Sequence, residues 1–164
     1  MYGTTHDGED WPDGADTRTR PASPRRAASR LHEARRLSAL RREIRDEAIT
    51  ACAGKRIIID LYALGIEPMH SHQRAQLHAE SEGFTVGKRF YDPHGTADPT
   101  QRPGWSKMCA RIAGGFAQGI IVVGQSDIST DPDEVEIILR WLEAHCAFVD
   151  FVLAPLSASP TTGL

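Results

Sequence analysis

The chain has 164 residues, of which 40% are hydrophobic and 25% are charged, and its formal net charge at pH 7 is -3. This composition is close to the globular average, so it excludes a fibrous protein and allows one ordinary domain with an arm or a tail. No apolar run is long enough to span a membrane, and the first residues lack the basic start and apolar stretch of a signal peptide. We therefore expect a cytoplasmic protein.

The three cysteines indicate neither a disulfide framework nor a standard zinc site. Cys52, Cys109 and Cys146 are an odd number, and no two of them have Cys-x-x-Cys spacing. We expect three small buried hydrophobic side chains, and neither a metal nor another cofactor.

Charge is distributed unevenly in the first third of the chain. Five acidic residues lie between positions 7 and 16, and ten arginines lie between Arg18 and Arg45. Residues 1–24 contain little apolar surface beyond Tyr2 and Trp11, too little to offset the entropy lost on ordering. We expect these residues to form a disordered arm that changes from acidic to basic.

An amphipathic helix is predicted over residues 25–54. Its apolar stripe recurs at helical spacing and consists of Leu37, Leu40, Ile44 and Ala48. Arg35 and Arg42 lie on the opposite, basic face, and Gly54 is suited to end the helix. The apolar stripe favours packing against the rest of the chain or against a second copy, and the basic face is either solvated or a surface for nucleic acid.

Residues 55–154 alternate between strand and helix patterns. The run that begins at Ile57 and ends before Gly65 is typical of a strand buried on both faces of a parallel sheet. Further strands are predicted over residues 84–91, 120–123 and 147–153, with helices between them. This order predicts an α/β fold with a four-stranded, mainly parallel sheet flanked by helices, followed by a polar tail over residues 155–164.

Several short segments occur in a distinctive order. They are Tyr62-Ala63 after the first strand, Tyr91-Asp92 after the second, the step Arg102-Pro103-Gly104-Trp105, and the run 120–123 with a helix behind Ser129. Together they resemble the N-terminal catalytic domain of the serine recombinases, the resolvase/invertase family, over residues 56–164. The resemblance implies a resolvase-like fold. Residues 159–164 resemble the turn before the family's dimerisation helix, so we expect a degenerate and truncated domain.

The family cleaves DNA by attack of a serine on a phosphodiester, and this reaction requires the nucleophile and cations beside the phosphate. The family's first-strand motif is Tyr-Ala-Arg-Val-Ser. By the resemblance, its arginine falls on Leu64 and its nucleophilic serine falls on Ile66. Neither side chain can perform the reaction.

A second family motif, Asp-Arg-Leu-Ser-Arg, is also altered. The resemblance places its aspartate on Ser126 and its two arginines on Asp127 and Thr130. A carboxylate at position 127 repels phosphate, so the change adds repulsion to the loss of a cation. Arg102 alone remains among the phosphate-facing cations, which implies a fold retained without its reaction.

Two other groups of polar residues are compatible with chemistry. Ser126, Ser129 and Thr130 offer hydroxyls, but no base lies nearby in sequence, and hydroxyls before a helix favour capping. A metal site is conceivable from His70, Ser71, His72, Asp92 and His94. Their spacing is unspecific, so we interpret them as solvated polar residues.

These patterns predict a catalytically inactive serine-recombinase-like domain that acts by binding. DNA is one expected partner, and the residues predicted to contact it are Arg35, Arg36, Arg41, Arg42, Arg45 and Arg102. The other expected partner is a protein or a second copy of this chain, bound through the helix over residues 27–53. No membrane partner is expected. Two alternatives stay open: an active site-specific recombinase that forms a phosphoserine intermediate, and a decayed fragment without a selected role.

Overall fold

The computed structural model of the chain describes residues 23–95 and 98–152. The predicted arm up to position 22 and the predicted tail lie outside these residues. The described helices and strands, in chain order, are α1 (Pro24–Cys52), β1 (Ile58–Leu64), α2 (Pro68–Ser81), β2 (Thr85–Asp92), α3 (Pro103–Ala113), β3 (Gly119–Val122), α4 (Pro132–Ala144) and β4 (Phe148–Phe151). Short 3₁₀ turns lie over Pro99–Gln101 and Gln125–Asp127.

The sheet is four-stranded, with the order β2-β1-β3-β4, and every pair of neighbouring strands is parallel. The prediction of a mainly parallel α/β sheet is confirmed. The interior of β1 and the whole of β3 and β4 are buried, because helices cover them. Among the described residues, no helix is both long enough and apolar enough to cross a membrane.

The helices after β2 and β3 bury the apolar faces that their sequences predict. Helix α3 buries Trp105, Met108 and Ile112, and α4 buries Val135, Ile138, Leu139 and Leu142. Asp131 is the N-cap of α4 and accepts a hydrogen bond from the backbone N–H of Asp133, and Pro132 occupies the first helical position.

Helix α1 packs with its apolar stripe against β4 and α4, and all four stripe residues are buried. Of the two alternatives for this stripe, packing against the rest of the chain is therefore the one observed. The helix ends at Cys52, and Ala53 already has a left-handed conformation with φ of 41° before Gly54. Three further residues separate Gly54 from β1.

A charged residue lies in β1 at the point where the pairing of β1 with β2 becomes irregular. Asp60 is fully buried, and the register between β1 and β2 shifts between Ile59 and Leu61. Its carboxylate accepts hydrogen bonds from the backbone N–H of Lys88 at 2.8 Å and from Arg111 Nε at 2.7 Å. The shift and the arginine together satisfy a carboxylate that would be costly to bury alone.

The cysteines differ from the expectation of three buried side chains. Cys52 and Cys109 are partly buried, but Cys146 is exposed, and all three are free thiols. Cys146 lies in the turn between α4 and β4 with φ of 51°, where its side chain faces solvent. Burial raises the pKa of the Cys109 thiol to about 12, so this group is protonated at neutral pH.

Candidate functional site

The carboxyl edge of the sheet brings together the positions that carry the chemistry in the family resemblance. Leu64 ends β1, Asp92 ends β2, and the turn at Gln125–Asp127 follows β3. Ligands of open α/β sheets bind at this edge, so its side chains decide what the fold can do here.

Arg102 points into the protein at this edge. Its side chain is 3% exposed, and its guanidinium donates from Nη1 to the carbonyl oxygen of Asp127 and from Nη2 to that of Ile128, both at 2.7 Å. These bonds hold the turn after β3. The guanidinium predicted to face a phosphate is therefore engaged with the backbone of its own chain.

Asp92 caps α3 from outside that helix. Its carboxylate, 3% exposed, accepts hydrogen bonds from the backbone N–H of Gly104 at 2.8 Å, from that of Trp105 at 2.9 Å and from the hydroxyl of Tyr62 at 2.8 Å. A carboxylate at a helix N-terminus is favourable because the unpaired N–H groups carry partial positive charge. Asp92 is therefore a structural cap, and the sequence pattern of a polar loop residue did not indicate this role.

The close packing of α3 against the sheet explains the presence of Gly104 and Trp105 at the start of this helix. A side-chain carbon at Gly104 would lie 2.3 Å from the carbonyl oxygen of Tyr91, so only glycine fits. Tyr62 packs edge-to-face on Trp105, with ring centroids 5.0 Å apart. Burial raises the pKa of Tyr62 well above its usual value, so the hydroxyl stays a neutral donor to Asp92.

The two positions predicted to correspond to the family's arginine and serine carry no polar side chain. Leu64 is half-buried and lies against Gly95. A side-chain carbon at Gly95 would be 2.9 Å from a methyl carbon of Leu64. Ile66 is 75% exposed in the connection between β1 and α2. No nucleophile or cation is supplied from this part of the edge.

The acidic residue of the turn after β3, Asp127, is hydrogen-bonded to the backbone of its own segment. The Asp127 carboxylate accepts a hydrogen bond from the backbone N–H of Val123 at 3.2 Å. Burial raises the pKa of this carboxyl, and its backbone hydrogen bonds and the charge of Arg102 oppose the rise. Ser126 and Thr130, its neighbours in the altered motif, are exposed.

Ser129 is the one hydroxyl of this motif with an acidic partner. It is 5% exposed, donates to Glu134 Oε2 at 2.5 Å and accepts from the backbone N–H of Asp131 at 3.0 Å. The hydroxyl thus joins the network before α4, in line with the capping interpretation, although Asp131 is the N-cap itself. A hydroxyl this buried cannot reach a phosphodiester of duplex DNA without opening the turn.

The histidines near this edge do not converge on a metal site. His72 is buried and its Nε2 lies 2.8 Å from the carbonyl oxygen of Phe90, whereas His70 and His94 are exposed. In the described part of the chain, no three histidine, cysteine or acidic side chains are grouped to hold an ion. His72 therefore anchors α2 to β2.

Two arginines predicted to contact DNA bind an aspartate in β4 instead. The carboxylate of Asp150 lies 3.1 Å from Arg41 Nη1, 3.2 Å from Arg45 Nε and 3.0 Å from His78 Nε2. Arg41 is 8% exposed and stacks on Phe151 at 4.5 Å, and burial lowers its pKa while Asp150 opposes that shift. Sequence reasoning missed this cluster, but an aspartate inside the apolar run 147–153 signals a buried charge that needs a partner.

The remaining α1 arginines face solvent. Arg36 pairs with Glu136 of α4 at 2.6 Å, Arg42 donates to the carbonyl of Ser38 in its own helix, and Arg35 is exposed. Residues 24–36 precede the first buried residue, Leu37, and all are exposed except the partly buried Glu33. Arg25, Arg26, Arg30 and Arg35 of this segment make no ion pair with any described residue.

No protein-family profile and no curated protein matches the chain. Solved structures do. The C-terminal catalytic domain of ISC1926 TnpA, an IS607-like serine recombinase, superposes with a TM-score of 0.53 at 15% identity over 60% of this chain and 72% of that chain. The N-terminal catalytic domain of TP901-1 integrase superposes with a TM-score of 0.52 at 13% identity over 58% and 76%, respectively. The chain therefore has the fold of a serine recombinase catalytic domain.

Proposed function

We propose that the chain is a catalytically inactive domain of this fold that binds DNA through residues 24–36 of α1. The observation that carries the proposal is the arrangement of charge on α1: Arg41 and Arg45 pair with Asp150, whereas four arginines of residues 24–36 make no ion pair with any described residue. The helix thus offers most of its unpaired arginines where it leaves the domain, and Arg42 is the exception.

The exposed segment has the length and charge that a phosphate contact needs. Thirteen helical residues extend roughly 20 Å at about 1.5 Å per residue, and an α-helix fits the DNA major groove. Arg25, Arg26, Arg30 and Arg35 are exposed there, with Glu33 as the one acid. Arginines that neutralise phosphates release counterions, and this release supplies most of non-specific DNA affinity.

The helical stripe itself changes character where the domain ends. Arg26, Arg30, Leu37, Ile44 and Ala48 follow one another at spacings of four and seven residues, so they share one face of α1. The last three are buried against the domain and the first two are exposed. A stripe that turns from apolar to basic at the domain boundary supports binding of a charged partner beyond it.

The residues at the carboxyl edge of the sheet support the absence of catalysis. A nucleophile is absent at Ile66, Arg102 is bonded to two carbonyl oxygens, and Asp127 adds negative charge. Strand cleavage needs an accessible hydroxyl and cations aimed at the phosphate.

The test is a titration of labelled duplex DNA with the full chain at several salt concentrations. We expect log affinity to fall with log salt with a slope of roughly −3 to −4, since four arginines contact phosphate. Replacing Arg25, Arg26, Arg30 and Arg35 by glutamine should remove most of that slope.

A matched control removes four positive charges from other exposed positions, namely Lys55, Arg56, Lys88 and Lys107. This variant should keep the salt slope of the wild type, because its net charge changes equally but α1 does not. Equal losses in both variants, or no binding by the wild type, would refute the proposal. A covalent adduct to a 5′ phosphate that survives denaturant would instead establish an active recombinase.

A further inference from the structure

Strand β2 forms an open edge of the sheet. It lies first in the order β2-β1-β3-β4, and β1 is its one neighbour among the described strands. The carbonyl of Asp92 faces β1, because it accepts from the N–H of Gly65 at 2.9 Å. Since backbone groups of a strand alternate in direction, those of Arg89 and Tyr91 point away from the sheet.

Apolar side chains lie beside this edge on the α2 face. A groove of about 780 Å³ runs between α2 and β2, with Met69, Leu77 and Tyr91 in its lining. These three residues are 82%, 61% and 52% exposed, respectively. An unpaired strand edge next to exposed apolar side chains is a surface for pairing with another chain.

We propose that β2 pairs antiparallel with β2 of a second copy around a two-fold axis at Phe90. Arg89 then lies opposite Tyr91 of the second copy, and Tyr91 lies opposite Arg89 of that copy. Each pair places a guanidinium against a phenol ring, which is favourable. The two α2 helices lie on the same face of the joined sheet, so the groove residues Met69 and Leu77 of both copies meet across the axis.

A second copy fits this surface because Arg89 and Tyr91 are complementary when they lie opposite each other. A pairing that places Arg89 opposite Arg89 brings like charges together, which is unfavourable on adjacent strands. The other edge strand, β4, is packed against α1, so addition of β2 to β4 of the next chain is blocked. Association through β2 therefore closes as a dimer and does not propagate into a filament.

The first test is sedimentation equilibrium of the full chain between about 1 and about 200 µM, a range that detects dissociation constants of weak dimers. We expect twice the 18.0 kDa of the chain at high concentration. Leu77→Glu should raise the dissociation constant at least about 10-fold, because it buries a charge at the two-fold axis. Ile137→Glu, at a residue 66% exposed on α4, is the control and should leave it unchanged.

The second test addresses the register. In a background with Cys52, Cys109 and Cys146 replaced by serine, the double variant Arg89→Cys/Tyr91→Cys should form an interchain disulfide on oxidation, and neither single variant should. Directly opposed residues have Cα atoms about 5.5 Å apart, within disulfide reach. A wild-type monomer, whether its groove is bare or covered by residues 1–22 or by another protein, overturns the proposal, as does a dimer that the double variant fails to cross-link.

Discussion

The carboxyl edge of the sheet and the exposed half of α1 differ in how they use charge. At the edge, Arg102 and Asp92 are buried and bonded to the backbone or to Tyr62. In residues 24–36, four arginines have no ionic partner among the described residues. A charge that is already satisfied within the fold contributes stability, whereas an unsatisfied one is available to a partner. The comparison therefore separates where this chain is stabilised from where it can bind.

The largest effect is expected at Asp150, which anchors the buried half of α1. Asp150→Asn leaves Arg41 and Arg45 without the carboxylate that neutralises them, and breaking a buried ion pair costs about 3–5 kcal/mol. The free energy of unfolding, measured with urea, should fall by that amount. Glu136→Gln, which removes the charge of the partly exposed partner of Arg36, is the control and should change it by less than about 1 kcal/mol. Equal effects of the two variants would show that Asp150 does not anchor α1.

The next effect is expected at the carboxyl edge. Asp92→Ala leaves the N–H groups of Gly104 and Trp105 and the hydroxyl of Tyr62 without their acceptor, so we expect a loss of about 3 kcal/mol in unfolding free energy. Ser126→Ala, at an exposed position of the same edge, should change it by less than about 0.5 kcal/mol. An Asp92→Ala protein as stable as the wild type would mean that the hydrogen bonds to this carboxylate do not stabilise the carboxyl edge of the sheet.

The two halves of α1 can be compared directly with one substitution in each. Arg41→Ala removes one of three cationic or imidazole partners of Asp150, so we expect about 2 kcal/mol of destabilisation. Arg30→Ala, at an exposed position, should leave stability within about 0.5 kcal/mol of the wild type. The expected order reverses for DNA affinity, which Arg30→Ala should weaken more. Parallel effects on both properties would contradict a division of labour along α1.

The sequence predicts the fold well because periodicity and caps are local signals. The apolar stripe of α1, the strands and the Asp131-Pro132 start of α4 all follow from residues close together in the chain. The order of those elements then restricts the sheet to parallel strands with short connections.

Sequence patterns do not reveal which charges meet in space. Asp150 lies 109 residues after Arg41, and Asp92 lies 12 residues before Gly104, whose N–H it caps. Neither pairing has a local periodicity. A buried aspartate within an apolar strand, as at positions 60 and 150, indicates that some cation must approach, but only tertiary packing selects Arg111 for one and Arg41 for the other.

Asp127 provides the smallest expected effect, a dependence of stability on pH. Burial raises the pKa of this carboxyl above its ordinary value of 3.8, so the folded chain binds its proton more tightly than the unfolded chain does. In the interval between 3.8 and the raised pKa, the native state carries more protons, and the free energy of unfolding therefore falls as pH rises. Below this interval both states are protonated, and above it both are ionised.

Asp127→Asn isolates this contribution, because asparagine keeps an oxygen that can accept from the N–H of Val123 and does not ionise. The unfolding free energies of both proteins would be measured with urea from about pH 3 to about pH 7. The wild type should lose stability relative to the variant as pH rises above 3.8, and the difference should then become constant. A flat difference would mean that Arg102 and the backbone offset the burial penalty of the Asp127 carboxylate, and a difference that grows in favour of the wild type would mean that they outweigh it. The edge would then favour an anion at position 127, and the repulsion of phosphate from that position would be stronger still.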